Sequence, residues 1–141
     1  MTFDQLSVFI ENKPGKLLEA LEILAINNID LRALSLADTT DFGILRIVVD
    51  KTDNALLALQ NAGYLVQINK VLTVEINDKP GGFADIMRFL TNAGVEVEYT
   101  YAFFAYRQNK AYVILRVTDN EWAIDVLTSN GVRLLSNKDL F

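Results

Sequence analysis

A short stretch, Asn12-Lys13-Pro14-Gly15-Lys16-Leu17, recurs later in the chain as Asp78-Lys79-Pro80-Gly81-Gly82-Phe83. Each copy follows alternating apolar residues and precedes apolar residues at helical spacing, so each predicts a strand, a tight turn and a helix start. Proline suits the first turn of a helix because its missing N–H would be unpaired there, and the next glycine leaves the backbone open to close approach. This turn therefore decides the order of elements in both halves.

The first amides of such a helix form a candidate anion site. They have no partner inside the helix and carry the positive end of its dipole, so a carboxylate or phosphate can bind there. We expect this role for the amides of Gly15–Leu17 and of Gly81–Phe83. For one copy, a helix start without a ligand is the more frequent case; two copies in matching contexts favour binding.

The first half of the sequence predicts four strands and two helices. Alternating or β-branched apolar runs indicate strands at residues 6–10, 29–37, 43–50 and 64–68. One helix follows the Pro-Gly turn. The other is predicted to start at Thr52 or Asp53 and to end before Gly63.

The second half predicts the same elements in the same order. Strands are expected at residues 72–76, 95–104, 111–118 and 132–135. One helix follows the second Pro-Gly turn, and the other starts at Asp119 or Asn120 and ends before Gly131.

Spacings between matching residues indicate an internal duplication. Pro14 and Pro80 are 66 residues apart. Leu45-Arg46-Ile47 and Leu115-Arg116-Val117 are 70 apart, which predicts a short insertion at 107–110 and matching positions for the two arginines. The chain is predicted to be α+β, with two ferredoxin-like βαββαβ units whose antiparallel sheets carry both helices on one face. Units of this size have marginal cores, so we expect residues 1–69 and 70–141 to form domains that are packed together.

Composition excludes several classes of function. The 141 residues are 51% hydrophobic and carry a net charge of −5. An acidic chain without a basic cluster is a poor binder of nucleic acid and of anionic membrane. There is no cysteine and no histidine, which removes disulfides, thiolate chemistry and the commonest metal ligand. No cofactor is expected.

The first five residues lack a basic region and a long apolar run. We therefore predict no signal peptide and no membrane span, and we expect a cytoplasmic protein.

The ordered motifs resemble those of the ACT domain, a regulatory module that binds amino acids. In the first half the resemblance rests on residues 6–17, 28–31, 34–36 and 43–50, and in the second on residues 74–83, 94–97 and 113–117. It covers nearly the whole chain. The resemblance implies a stand-alone tandem ACT protein that binds a free amino acid at the interface between its two units.

In that family the ligand lies between the turn after the first strand of one unit and the second strand of its neighbour. The resemblance therefore adds strand residues to the candidate site, and these are Ile29, Leu31, Val95 and Val97. Carbonyls in these strands would complete the site for the α-ammonium group, and Asn12 and Asp78 would be further acceptors. Because Asp78 is charged, the second turn is predicted to prefer a full ammonium group, and Gly82 in place of Lys16 is predicted to leave more room.

An aromatic-rich strand distinguishes the second half, and its members are Tyr99, Tyr101, Phe103, Phe104 and Tyr106. Alternate residues of a strand face opposite sides of a sheet, so core and interface packing is favoured over an aromatic ligand pocket.

Three function classes follow. The first is a non-catalytic regulatory protein that binds an amino acid and signals through a partner or through assembly, with a homodimer as one such assembly. The second is a regulatory subunit of an amino-acid biosynthetic enzyme that acts by protein contact without a small ligand. The third is an enzyme on a ferredoxin-like scaffold, which is disfavoured because no paired catalytic groups stand out.

Overall fold

The computed structural model describes residues 1–38, 41–103 and 109–140. The chain divides into two compact units. The N-unit comprises Asp4–Asn69, and the C-unit comprises Lys70–Phe141 together with Met1–Phe3. The predicted domains 1–69 and 70–141 also meet at the bond between Asn69 and Lys70, and their assignment as domains stays a prediction.

Six elements build the N-unit. They are β1 (Phe3–Glu11), α1 (Lys16–Ile26), β2 (Leu31–Asp38), β3 (Phe42–Val49), α2 (Thr52–Asn61) and the first residues of β4 (Leu65–Asn77). The strand order is β2-β3-β1, and both pairings are antiparallel. Ser7 Oγ donates to Asn69 Oδ1 at 2.9 Å, which joins β1 to the part of β4 inside this unit.

The C-unit repeats this plan. It holds the rest of β4, then α3 (Gly82–Asn92), β5 (Val97–Ala102), β6 (Lys110–Val117), α4 (Asn120–Ser129) and α5 (Asn137–Leu140). The strand order is β4-β6-β5, again antiparallel.

Each unit has its own apolar core between sheet and helices. In the N-unit Leu6, Val8 and Ile10 of β1 pack with Ala20 and Leu24 of α1. The C-unit core is built the same way, from inward residues of β4 and β6 and from α3 and α4. The alternation along each strand places one set of side chains against both helices. The predicted α+β class, with antiparallel ferredoxin-like sheets and helices on one face, is confirmed.

Two strand predictions were wrong. The segments 64–68 and 72–76 form one strand, β4, of 13 residues. The last predicted strand, 132–135, is reduced to a single bridge between Val74 and Leu134. Two backbone hydrogen bonds flank that bridge, from Glu75 N to Arg133 O and from Leu135 N to Thr73 O, both at 2.9 Å.

The helix starts after the Pro-Gly turns also differ from the prediction. Gly15 and Gly81, with φ of 85° and 86°, are the residues before the helices, so Pro14 and Pro80 lie outside them. A left-handed residue immediately before the helix favours glycine, because in this conformation a Cβ lies too close to the carbonyl oxygen that follows it.

The other two helices differ in how they begin. Helix α2 follows Lys51 without a side-chain cap, so the predicted caps Thr52 and Asp53 were wrong. Before α4, Asp119 accepts a hydrogen bond from Trp122 N at 3.1 Å, as one of the two predicted alternatives requires. Trp122 also donates its indole N–H to Ala93 O at 2.9 Å, and its side chain is half-exposed.

The pairing register corrects the predicted match of the two arginines. Leu6 pairs with Ile47, and its counterpart Leu72 pairs with Leu115, so equivalent residues of β3 and β6 are 68 positions apart. Arg46 therefore corresponds to Ile114 and not to Arg116. The predicted turn residues 39–40, the aromatics Phe104 and Tyr106, and positions 107 and 108 of the predicted insertion lie outside the described residues.

Candidate functional site

The first Pro-Gly turn is closed by three backbone hydrogen bonds. Lys13 N donates to Glu11 O at 2.8 Å, and Lys16 N donates to Lys13 O at 3.3 Å. Glu19 N donates to Gly15 O at 3.0 Å and begins the helical pattern. The conformation of the turn is therefore held by its own backbone hydrogen bonds.

The second turn repeats these bonds residue by residue. Lys79 N donates to Asn77 O at 2.9 Å, Gly82 N to Lys79 O at 3.0 Å, and Asp85 N to Gly81 O at 3.0 Å. Two sequences that differ at several side chains thus fold into the same backbone. The shared Pro-Gly pair accounts for this, because it sets the two most restricted conformations of the turn.

The predicted anion donors divide into two groups. The amides of Lys16 and Gly82 are used by the turns themselves. The amides of Gly15 and Leu17, and in the same way those of Gly81 and Phe83, have no hydrogen-bond partner within residues 1–38, 41–103 and 109–140. Each turn therefore offers two backbone donors at the positive end of a helix, where a carboxylate can bind.

The predicted ammonium acceptors lie beside these donors in sequence. Asn12 and Asp78 are exposed and hold their turns to the neighbouring hairpin. Asn12 N donates to Asp41 O at 2.9 Å, and Asp78 N donates to Asn109 O at 3.0 Å. Both side chains are thus at the surface next to the free amides.

Gly82 does not leave the extra room that was predicted from its replacement of Lys16. A Cβ on Gly82 would lie 2.0 Å from Asn77 O. The space that a side chain would need is filled by the end of β4, so glycine is required here for close backbone approach.

The predicted strand residues lie elsewhere within each unit. Ile29 and Val95 are buried core residues, and Leu31 and Val97 are partly buried beside the same cores. They follow the C-termini of α1 and α3, whereas the Pro-Gly turns precede the N-termini. A helix of 11 residues is about 16 Å long, so neither unit alone brings the two groups together.

The aromatic strand has one internal contact among its described members. The rings of Tyr99 and Tyr101 are stacked, with centroids 6.4 Å apart and an interplanar angle of 21°. Phe103, two residues further on, is buried. The choice between packing and an aromatic pocket stays a prediction.

Sequence reasoning missed a cavity of about 350 Å³ in the N-unit, which we call the N-pocket. It lies where the end of β1, the first turn of α1 and the loop from α2 to β4 meet. Its apolar walls are Phe9, Phe42 and Leu65. No local spacing could have found it, because these residues come from three different strands.

The polar side of the N-pocket is organised around Glu19. Tyr64 donates its hydroxyl to Glu19 Oε1 at 2.8 Å, and Lys16 Nζ lies 3.6 Å from Glu19 Oε2. Burial and this hydrogen bond to a carboxylate raise the pKa of Tyr64 to about 12. Glu11, also in the wall, pairs with Lys13 at 2.9 Å, and that hydrogen bond and charge lower the pKa of Glu11.

The equivalent cavity of the C-unit, the C-pocket, has about 300 Å³ and a wall of ion pairs. Glu75 Oε2 accepts from Arg133 Nη1 at 2.9 Å and from the Tyr112 hydroxyl at 3.0 Å. Lys110 Nζ is 3.8 Å from Glu75 Oε1, and Arg133 Nη2 donates to Asp139 Oδ1 at 2.7 Å. Burial alone would raise the pKa of Glu75, but the hydrogen bonds from Arg133 and Tyr112 and the nearby positive charges hold this pKa below its ordinary value.

A family model described as an ACT domain pair matches residues 1–141. The chain belongs to this family. The predicted tandem ACT resemblance is therefore confirmed, and the two Pro-Gly turns are the matching turns of two ACT repeats.

Solved structures share the fold of this ACT domain pair. Protein BT0572 from Bacteroides thetaiotaomicron is 40% identical, with a TM-score of 0.92 over 99% of this chain and 96% of that one. The ligand-free regulatory subunit of aspartate kinase from Thermus thermophilus is 18% identical, with a TM-score of 0.70 over 91% and 90% of the two chains. The aspartate kinase of Clostridium acetobutylicum is 15% identical, with a TM-score of 0.56, and the match spans 91% of this chain and 32% of that enzyme. No curated protein matches the chain.

Two absences concern only the described part of the ACT domain pair. None of its helices is long and apolar enough to cross a membrane. Its described carboxylates form no group of three or more that could hold a metal ion.

Proposed function

We propose that this ACT domain pair is a non-catalytic regulatory protein that binds a free amino acid and acts through a partner protein or through assembly. The observation that carries the proposal is the repeated turn, with two amides at each helix start that have no hydrogen-bond partner in the described part of the chain. These amides would hold the α-carboxylate of the ligand. Asn12 and Asp78 would accept hydrogen bonds from its α-ammonium group.

Binding of an amino acid is by itself enough to regulate a partner protein. An amino acid that binds one arrangement of the protein more tightly than another shifts the population towards it. Such a shift changes how the protein meets a partner, without any reaction at the site. Membership of the ACT family supports this proposal, because ACT domains are regulatory modules rather than enzymes.

The test is a melting-temperature screen of the purified protein with each of the twenty amino acids at millimolar concentration. A ligand at a hundredfold excess over its Kd stabilises the folded state by about 2.7 kcal/mol, which raises the melting temperature by several degrees. Gly15→Ala and Gly81→Ala would each place a methyl group next to the free amides and weaken binding at least tenfold.

Gly94→Ala is the matched control for these variants. Gly94 has a φ of 75° and, like Gly15 and Gly81, open space where a Cβ would be. It carries the same backbone strain but lies after α3, away from both turns. Loss of binding in the two turn variants and not in the control supports the proposal, and a flat screen contradicts it.

A second candidate is a regulatory subunit that acts by protein contact without its own small ligand. It is favoured by the exposed apolar residues on the helices of the N-unit, Leu18, Ile26 and Leu57. Their counterparts in the C-unit are Ala84, Asn92 and Asp125, which are smaller or polar. The aspartate kinase subunit of Thermus thermophilus, similar in fold, is named as a regulatory subunit. Co-purification with a biosynthetic enzyme, lost on Leu18→Ser and Leu57→Asp, would support this candidate.

A further inference from the structure

The N-pocket and the C-pocket occupy equivalent places in the duplicated fold, but their walls differ. Phe9 corresponds to Glu75, because each lies five residues before the proline of its turn. Phe42 corresponds to Lys110, because each begins the third strand of its unit and pairs with the last residue of the strand before the turn.

A third wall position follows the same rule. Leu65 comes two residues after the left-handed Gly63, as Arg133 comes two residues after the left-handed Gly131. Three members of the ion-pair cluster of the C-unit, Glu75, Lys110 and Arg133, are thus replaced by large apolar residues in the N-unit. In the C-unit these residues form ion pairs with one another, whereas in the N-unit their counterparts form an apolar wall.

That apolar wall is partly open to solvent. Phe42 is 51% exposed and Leu65 is 64% exposed. Covering a large apolar side chain is favourable, and the gain grows with the apolar area removed from water. A ligand with an apolar body would therefore be stabilised by contact with this wall, and the pocket volume of about 350 Å³ lies within the range of small-molecule sites.

The charged groups of the N-pocket can serve both ends of a zwitterion. Lys16 Nζ is 3.6 Å from Glu19, which is longer than a hydrogen bond, so its ammonium group can turn to a ligand carboxylate at little cost. Glu11 pairs with Lys13, whose side chain is 69% exposed. Exposed ion pairs contribute little to stability, so a ligand ammonium group can replace Lys13 on Glu11.

We propose that the N-pocket binds a small α-amino acid with a large apolar side chain. Its side chain would contact Phe9, Phe42 and Leu65. Its carboxylate would pair with Lys16, which lies between the donor amides of Gly15 and Leu17, and its ammonium group would pair with Glu11, which is next to Asn12. The inference rests on the proposed function and adds to it the class of side chain. It also predicts one such site in each chain, because the C-pocket has no matching apolar wall.

Isothermal titration calorimetry of the full chain tests the ligand class. The probes are L-phenylalanine, 2-phenylethylamine, which lacks the carboxylate, and 3-phenylpropionate, which lacks the ammonium group. L-Phenylalanine or L-leucine is expected to bind with a stoichiometry of one per chain. Both truncated probes are expected to bind at least tenfold more weakly than L-phenylalanine, because each leaves Lys16 or Glu11 without its new partner.

Exchange between the repeats tests the location. Leu65→Arg and Phe42→Lys each place the C-unit residue in the N-pocket and are expected to weaken binding at least tenfold. Leu57→Asp is the matched control, since Leu57 is 60% exposed, does not line the pocket and corresponds to Asp125. It should change the Kd less than twofold. All three positions are on the surface, and melting temperatures of the unliganded variants verify folding.

The possible failures are distinguishable. If another amino acid binds and is lost on Gly15→Ala or Gly81→Ala but not on Leu65→Arg, the proposed function stands and this inference is overturned. Equal binding of L-phenylalanine by the wild type, Leu65→Arg and Phe42→Lys also overturns it. If none of the twenty amino acids binds, both proposals fall.

Discussion

Gly82 lies so close to the carbonyl oxygen of Asn77 that a Cβ at position 82 would be only 2.0 Å from it. No such contact limits Gly81, one residue earlier, which has a left-handed φ of 86° and open space around the position of a Cβ. The two adjacent glycines of the second turn are therefore required for different reasons. Gly82 is required because a side chain would overlap Asn77, and Gly81 is required because its backbone is left-handed.

Gly82→Ala should destabilise the protein by about 3 kcal/mol, because the new methyl group overlaps a backbone that is held in a strand. Gly81→Ala should cost about 1–2 kcal/mol, the usual penalty of a left-handed residue with a Cβ. Urea unfolding of both variants provides the measurement. Equal losses of unfolding free energy would show that the backbone around Asn77 moves away without cost.

The hydrogen bond from Tyr64 to Glu19 predicts an unusual tyrosine titration. Tyr64 should ionise with a pKa of about 12, and Glu19→Gln should lower this pKa, leaving the parts due to burial and to the charge of Glu11. NMR titration of ¹³C-labelled tyrosine reports the value. Glu22→Gln removes the same charge from α1 but from a group that does not contribute to the Tyr64 pKa, and it should leave the titration unchanged.

The sign of the linked stability follows from this raised pKa. The folded state favours the neutral hydroxyl, so its contribution is fully present below pH 10 and is lost as the pH rises towards 12. Tyr64→Phe should remove that part of the pH dependence. An unchanged alkaline unfolding profile in this variant would contradict the assignment.

Glu75 predicts the opposite dependence at acid pH. Its pKa is lowered in the folded state, so the stability it contributes is present above the ordinary value of 4.5 and is lost as the pH falls below it. Glu75→Gln should cost about 1.5 kcal/mol at pH 7, through the loss of hydrogen bonds to a charged group, and much less at pH 3.

Glu98→Gln is the control for this experiment. Glu98 lies 3.4 Å from Arg116 in the same unit, but its side chain is 42% exposed. An exposed pair of this kind should contribute no more than about 0.5 kcal/mol. If both variants lose the same free energy of unfolding at pH 7, the interactions of Glu75 stabilise the protein no more than an exposed ion pair does.

Asp78 distinguishes the two Pro-Gly turns chemically, because its counterpart Asn12 carries no charge. If the second turn binds an α-ammonium group, Asp78→Asn should weaken amino-acid binding about threefold to tenfold at that turn. The reverse exchange, Asn12→Asp, should strengthen binding at the first turn. Calorimetric titration with the best amino acid from the screen measures both effects, and unchanged affinity in both variants would refute this role.

The duplicated fold could be predicted from sequence because its signals are local. A Pro-Gly pair, alternating apolar residues and a glycine after each second helix are each readable within a few positions. Gly63 and Gly131 follow α2 and α4 with φ of 93° and 75°, as a glycine at a helix end predicts. The predicted helix start was two residues too early. Gly15 takes the left-handed conformation before the helix, and the sequence alone does not show this conformation.

The register and the pockets depend on distant residues and could not be predicted in this way. Arg46 and Arg116 share a local motif, yet the two hairpins differ in length, so equal motifs do not occupy equal positions. Glu75 and Arg133 are 58 residues apart and meet only through the pairing of the last segment with β4. The sequence also could not show that the turns themselves use two of the predicted donor amides, those of Lys16 and Gly82.

The position of Trp122 makes the protein its own reporter. It is the one tryptophan of the chain, and its indole is held by Ala93 at the end of α3. Tryptophan emission therefore follows the unfolding of the C-unit, while circular dichroism follows the helices of both units. Coincident unfolding curves from the two signals would mean that the repeats lose structure together; an emission change at a different denaturant concentration would mean that each half unfolds separately.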